Sequence, residues 1–174
     1  MKNLKTALLS AIMLVLMPFA SNAQEKNVTL DFENASTNMK LIQKYTNALQ
    51  KGDVATMNAQ LHQDVMIYGL GGGLDSLNME QHKAYYTNST SNFKHEITQD
   101  LYLPVKVTNS WNEGEWTLSW GLNTVTDKKS GQKIEIPYHT ASLVVNGKIM
   151  MIRYYYDMAN ILSKIGWTLT PPKG

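Results

Sequence analysis

Two long alternating stretches that meet at Asn146-Gly147 constrain this chain more than any other feature. A two-residue turn between strands needs positive φ at both positions, which Asn and Gly tolerate best, so the dipeptide predicts a tight hairpin between Gln132–Val145 and Lys148–Asp157. Upstream, Glu115 to Asp127 alternates so that Trp116, Leu118, Trp120 and Leu122 share one face. A Lys128-Lys129-Ser130-Gly131 turn joins it to the hairpin. Lys94 to Asp100 and Tyr102 to Thr108 read as two weaker strands, with Pro104 marking an edge or a bulge. Ribbons of this length must bury one face against something.

What buries them comes earlier in the chain. From Ser36 onward, Leu41, Ile42, Tyr45, Ala48 and Leu49 fall on one helical face, and Gly52 is a C-terminal stop. Asp53 is placed to cap a shorter helix bearing Val54, Met57 and Leu61. Val65 to Leu70 reads as a strand ended by the glycine run Gly69, Gly71, Gly72 and Gly73. Asn78 followed by Gln81 predicts a capping box for a third helix with Met79, His82, Tyr85 and Tyr86. A short helix over Ala159–Ile165, closed by Gly166, ends the pattern. Helices first and an antiparallel meander afterwards predict an α+β fold, with no internal repeat.

Composition excludes several chemistries. With no cysteine there is no disulfide scaffold, thiol nucleophile or thiolate metal site. Lys2 and Lys5 precede an apolar run from Ala7 to Met17, then Pro18 and small residues ending Ser21-Asn22-Ala23. That is the layout of an export signal, so residues 1–23 are expected to be a cleaved leader, and the product secreted or periplasmic. The run falls short of the ~20 apolar residues a bilayer span requires, and no membrane span is expected elsewhere. Residues 24–35 are expected to be a loose segment, 36–167 the folded domain and 168–174 a tail. Without Lys2 and Lys5 the 16 Lys+Arg fall to equal the 14 Asp+Glu. A neutral chain whose only arginine is Arg153 lacks the basic patch that nucleic-acid binding requires. His62, His82, His95 and His139 show no paired metal spacing, so no metal is expected. The glycine run is followed by no Gly-Lys-Ser/Thr and opens no helix, which leaves a plain loop or lid and no cofactor motif. No Gly-x-Ser-x-Gly elbow is present.

The segment Gly147-Lys148-Ile149, Arg153-Tyr154-Tyr155-Tyr156-Asp157-Met158, Ile161-Leu162 and Ile165-Gly166-Trp167 resembles the C-terminal signature of SnoaL-like proteins, in the nuclear-transport-factor-like superfamily. The order of elements over about residues 36–167 is similar as well. The resemblance implies a cone: a strongly curved, mostly antiparallel sheet around three N-terminal helices, with a deep apolar pocket open at one end. It also implies homodimerisation through the sheet. Members include polyketide cyclases, ketosteroid isomerases and dehydratases, so the fold implies a pocket rather than one chemistry.

The resemblance makes Asp157 the leading acid/base residue, because cyclases of this kind use an aspartate inside the cone. A carboxylate at an apolar rim is desolvated toward the range of a general base. The same position at a strand-to-helix junction suits a helix cap. His139 is the second candidate, as a proton shuttle or as a hydrogen-bonded structural histidine. With Val145 opposite Lys148, simple pairing sets His139 opposite Tyr154 and Asp157 opposite Ile136, on opposite faces unless a bulge intervenes. The face with His139, Ala141, Leu143, Met150, Ile152, Tyr154 and Tyr156 is the more apolar and is the expected pocket wall. Trp116 and Trp120 offer a rigid aromatic surface for ligand stacking or core packing alike. Tyr68 either presents its hydroxyl at the pocket mouth or is structural. Three functions follow: a pocket for a small apolar or aromatic molecule without cofactor, a cyclase- or isomerase-type enzyme using Asp157 or His139, or a structural homodimer with a vestigial pocket.

Overall fold

The computed structural model describes residues 27–70, 75–168 and 170. They form β1 (Val28–Thr29), α1 (Ala35–Lys51), α2 (Val54–Ala59), β2 (Leu61–Tyr68), β3 (Ser76–Leu77), α3 (Met79–Asn92), β4 (Phe93–Val107), β5 (Gly114–Asp127), β6 (Lys133–Val145), β7 (Lys148–Tyr156) and α4 (Met158–Lys164). The expected leader and most of the glycine loop lie outside the described residues.

The punctuation read from the sequence acts as its chemistry requires. Gly52 closes α1 at φ +70°, sending its N–H back to the carbonyls of Ala48 and Leu49. The Asp53 carboxylate accepts from the Thr56 N–H at 2.9 Å at the start of α2. Asn78 and Gln81 cap α3 reciprocally, each side chain accepting from the other's N–H. Asn146 and Gly147 both have positive φ, as the hairpin demands.

The seven strands lie in the order β1-β4-β5-β6-β7-β2-β3, antiparallel throughout except where β2 runs parallel to β7. Two expectations are corrected. The segment expected to be loose contributes β1, which pairs with Lys106 and Val107. The two weak strands are one strand, β4, carrying a bulge: Thr98 pairs with Leu122 and Leu101 with Trp120, so Gln99 and Asp100 crowd against Gly121. A bulge opposite a glycine bends a sheet sharply, and this one curls β4 and β5 over α1.

A second bulge decides the site. Val144 pairs with Ile149 but Leu143 pairs with Met151, leaving Met150 unpaired. His139 therefore faces Tyr155 rather than Tyr154, and Thr140 takes the place opposite Tyr154. A one-residue slip exchanges the faces of everything beyond it. The inner wall is thus Tyr138, Thr140 and Ser142 on β6 with Ile152, Tyr154 and Tyr156 on β7. The expected β6 wall of His139, Ala141 and Leu143 lies on the outer face.

The core gathers at the hairpin end: Met57, Leu61, Ile67, Ile149 and Ile152 are almost fully buried against Ile42, Ala48 and Leu49 of α1. Toward the opposite end the helices and the curved sheet diverge. The result is an α+β cone, solid at one end and hollow at the other. Among the described residues no helix is long and apolar enough to cross a membrane.

Candidate functional site

The hollow is about 360 Å³ in volume, bounded by α1, α3, the inner faces of β4–β7, and α4 across its mouth. Register orders its wall from the deep end outward. Ser119, Thr140 and Tyr154 form one level; Gly121, Tyr138 and Tyr156 the next; then Ile97, Asn123 and Ile136; and last Val125 and Ile134. At the mouth α4 presents Met158, Ile161 and Ile165, tied down by a bond from Gln132 Nε2 to the Lys164 carbonyl at 2.7 Å. No described residue lining the cavity is Lys, Arg, Asp, Glu or His.

Deep in the wall sits a closed polar cluster. Asn58 Nδ2 donates to the Val54 carbonyl at 2.8 Å, which turns Asn58 Oδ1 toward His82. His82 Nδ1 lies 3.1 Å from that oxygen and so carries the proton, leaving Nε2 as an acceptor. Tyr45 donates to Nε2 at 2.7 Å, Tyr154 donates to Tyr45 at 3.0 Å, and Tyr86 donates to Tyr154 at 3.2 Å. One amide orientation thus sets the direction of a four-residue chain. Every hydroxyl proton is spent inward, so Tyr45, Tyr86 and Tyr154 turn only lone pairs toward the cavity they line. Burial holds all three phenols well above their ordinary range and lowers His82 to about 4, so the cluster is neutral near pH 7.

Nearer the mouth lies a second cluster around His95. His95 Nε2 is 2.9 Å from Ser89 Oγ and Nδ1 is 3.3 Å from Asn123 Nδ2. Burial lowers the His95 pKa, so this imidazole is also held toward neutrality. The carbonyl oxygen of Asn123 is buried and without a partner, as is the Tyr138 hydroxyl one level deeper.

Of the residues singled out from sequence, the structure brings Tyr154 and Tyr156 to the cavity; Tyr156 also donates to the Leu70 carbonyl at 3.0 Å. Asp157 is exposed, caps α4 by accepting from the Asn160 N–H at 2.9 Å, and does not line the hollow. His139, Trp116, Trp120 and Tyr68 lie on the outer face. There His139 packs between Trp120 and Tyr155, with ring centroids 4.8 and 5.7 Å away, and the Arg153 guanidinium stacks on Tyr68 at 4.9 Å. Trp116 donates its indole N–H to the Asn112 carbonyl at 2.8 Å. The sequence reading placed Tyr45, His82 and Tyr86 on apolar helix faces without drawing them together. Their signal was a polar tip within each buried stripe, with His82 and Tyr86 one turn apart. Among the described residues no three His, Asp or Glu side chains converge as metal ligands.

No protein-family model matches the chain, and no curated protein sequence is similar to it. Solved structures are. A candidate polyketide cyclase from Xanthomonas campestris superposes with a TM-score of 0.63 at 18% identity, over 77% of this chain and 100% of that one. A nuclear-transport-factor-like protein from Burkholderia xenovorans gives 0.57 at 18%, over 74% and 95%. An epoxide hydrolase of the LEH-like type from M. tuberculosis gives 0.58 at 14%, over 74% and 89%. At these identities the likeness is one of fold, and the chain has the α+β cone fold of the nuclear-transport-factor-like proteins that its C-terminal signature resembles.

Proposed function

We propose that this protein binds a small, uncharged, largely apolar or aromatic molecule inside the cone. One observation supports this above the rest: a 360 Å³ hollow walled by aliphatic and aromatic side chains, whose described lining holds polar atoms but no ionisable acid, base or cation other than tyrosines. Burying a charged ligand there would cost its hydration with no counter-charge in return. Native mass spectrometry of protein taken from its own host should find a retained neutral molecule. Stripped protein should bind neutral aromatic probes, and Ile136→Trp, which fills the hollow, should abolish that binding. If stripped wild-type protein takes up none of a broad neutral panel, the reading fails.

The likeness to cyclase and hydrolase structures supports a second reading, an enzyme that moves a proton. The observation favouring it is the chain from the cavity through Tyr154 and Tyr45 to His82. In this reading the acid/base role passes from Asp157 and His139, which lie off the cavity, to that relay. An imidazole lowered to about 4 is a weak base near pH 7, which ranks binding first.

We further propose an exported homodimer. The leader-like residues 1–23 support export, and an N-terminus at Gln24 in the isolated protein is the test. For the dimer, Leu101, Trp120, His139 and Tyr155 form one row across four strands of the outer face, with Leu101 61% and Tyr155 56% exposed. A patch of this kind is characteristic of a covered surface. Sedimentation should show a dimer that Trp120→Glu dissociates; a wild-type monomer at micromolar concentration rules this out.

A further inference from the structure

We infer that the cavity holds a second, unfilled polar subsite, formed by Asn123, Tyr138 and Ser89, that takes a neutral ligand group able both to donate and to accept a hydrogen bond, such as a carboxamide or hydroxyl. The inference rests on the binding reading above and deepens it.

Three buried polar atoms on the inner face lack a partner, the Thr117 Oγ1, the Asn123 Oδ1 and the Tyr138 hydroxyl, and of these residues Asn123 and Tyr138 line the cavity. Leaving such a group unmade costs about 1–3 kcal/mol, so folds rarely keep two in one place without a use for them. They are neighbours. Asn123 pairs with Ile136 and Tyr138 with Gly121, which makes them a diagonal pair on one face of adjacent strands. Gly121 is what seats the tyrosine: a Cβ at this position would lie 2.8 Å from the Tyr138 hydroxyl, so the ring crosses bare backbone. The main-chain crowding that bends β4 against Gly121 and the placement of Tyr138 are therefore one device.

The polarity of the subsite follows from His95. With Asn123 Nδ2 donating to His95 Nδ1, the imidazole carries its proton on Nε2 and gives it to Ser89 Oγ. Asn123, a lining residue, is then left with an unpaired acceptor and Ser89 keeps a free O–H. If the amide is turned over, His95 carries its proton on Nδ1, Asn123 shows a donor, and Ser89 shows lone pairs. In both arrangements the pair offers one donor and one acceptor, and the Tyr138 O–H adds a donor. With the imidazole held toward neutrality by burial, none of the side chains that form the subsite is charged, and the fixed charges felt there are Asp100, acting on Tyr138, and Lys128, acting on His95. A carboxamide satisfies it in either state; a carboxylate brings acceptors only, and a charge that no lining side chain balances.

The test uses one aromatic skeleton on the full-length protein: naphthalene, 2-naphthol, 2-naphthamide and 2-naphthoate, measured by equilibrium titration against wild type, Tyr138→Phe and Asn123→Leu. Wild type should prefer naphthamide over naphthalene by about tenfold, the worth of one to two hydrogen bonds, and should reject naphthoate. Each variant should erase most of that preference, read as the ratio of naphthamide to naphthalene affinity on the same protein. Equal binding of naphthalene and naphthamide, or a preference that both variants retain, overturns the subsite and leaves the binding reading intact. Failure of every probe on wild type overturns both. Variants that lose naphthalene as well have lost the fold of the wall; in that case wild type bound to carbonyl-¹³C naphthamide decides. A carbonyl shift away from its value in an aprotic apolar solvent supports the subsite, and an unchanged one refutes it.

Discussion

The two polar clusters of the cone start from the same parts and end differently. Each has a buried neutral histidine, His82 on α3 and His95 on β4, with an asparagine on one ring nitrogen and a hydroxyl on the other. Around His82 every donor named above is used, and the chain ends on three tyrosines bonded in line. Around His95 the network stops short, with Asn123 Oδ1 unpaired and the hydroxyl of Tyr138, its diagonal neighbour in the register, unpaired as well. A closed network pins α1 and α3 to β7 and is spent on stability. An open one holds back part of its bonding for a guest. The contrast separates the structural end of the cavity from its recognition end.

The strongest blow to the contrast is His82→Ala, which strands Tyr45 and Asn58 and opens a void. It should cost about 3–5 kcal/mol in denaturant unfolding, and a loss under 1 kcal/mol would make the closed cluster ornamental. Acidification comes next. An unfolded histidine takes its proton near pH 6.5, whereas folded His82 does so only at about 4. Between these values the unfolded chain binds more protons. Stability should therefore fall as pH drops from 6.5 to 4, by roughly 3 kcal/mol, and this group should contribute no further loss below 4. His95, also lowered, adds in the same direction. His82→Gln should flatten the slope, as followed by urea melts across that range.

Paired tyrosine variants sharpen the comparison most directly. Tyr45→Phe removes the donor to His82 and the acceptor of Tyr154 and should cost about 1–3 kcal/mol. Tyr138→Phe removes a hydroxyl with no partner and should leave stability unchanged or slightly raised. Equal losses from the two would erase the distinction. Of the substitutions expected to destabilise, Asp157→Ala has the smallest effect. Losing the cap of α4 should cost about 0.5–2 kcal/mol. Amide exchange should show the effect at the mouth, with protection at Tyr45 and His82 unchanged.

The legible part of this molecule was local. Gly52, Asp53, Asn78 with Gln81, and Asn146-Gly147 act through their nearest neighbours, and each ends or starts an element where the sequence placed it. The grouping of Trp116, Leu118, Trp120 and Leu122 on one strand face was also correct, because alternation within a strand needs no other strand. The site was harder to see. Its tyrosines and histidines come from α1, α3, β4, β6 and β7, far apart in the chain and joined only by packing.

What the sequence by itself determined, then, was the inventory of helices and strands, the turns between them, and which side chains travel together on each. The tertiary structure decided which side looks inward. Both faces of β6 and β7 carry apolar and aromatic residues, one for the hollow and one for the outer surface, so hydrophobic alternation reads the same whichever way the strand is turned. A single unpaired residue, Met150, settles the matter by shifting the ladder one step, sending His139 outward and Tyr138 and Thr140 inward. A period of two cannot register such a slip, whereas backbone pairing across strands must.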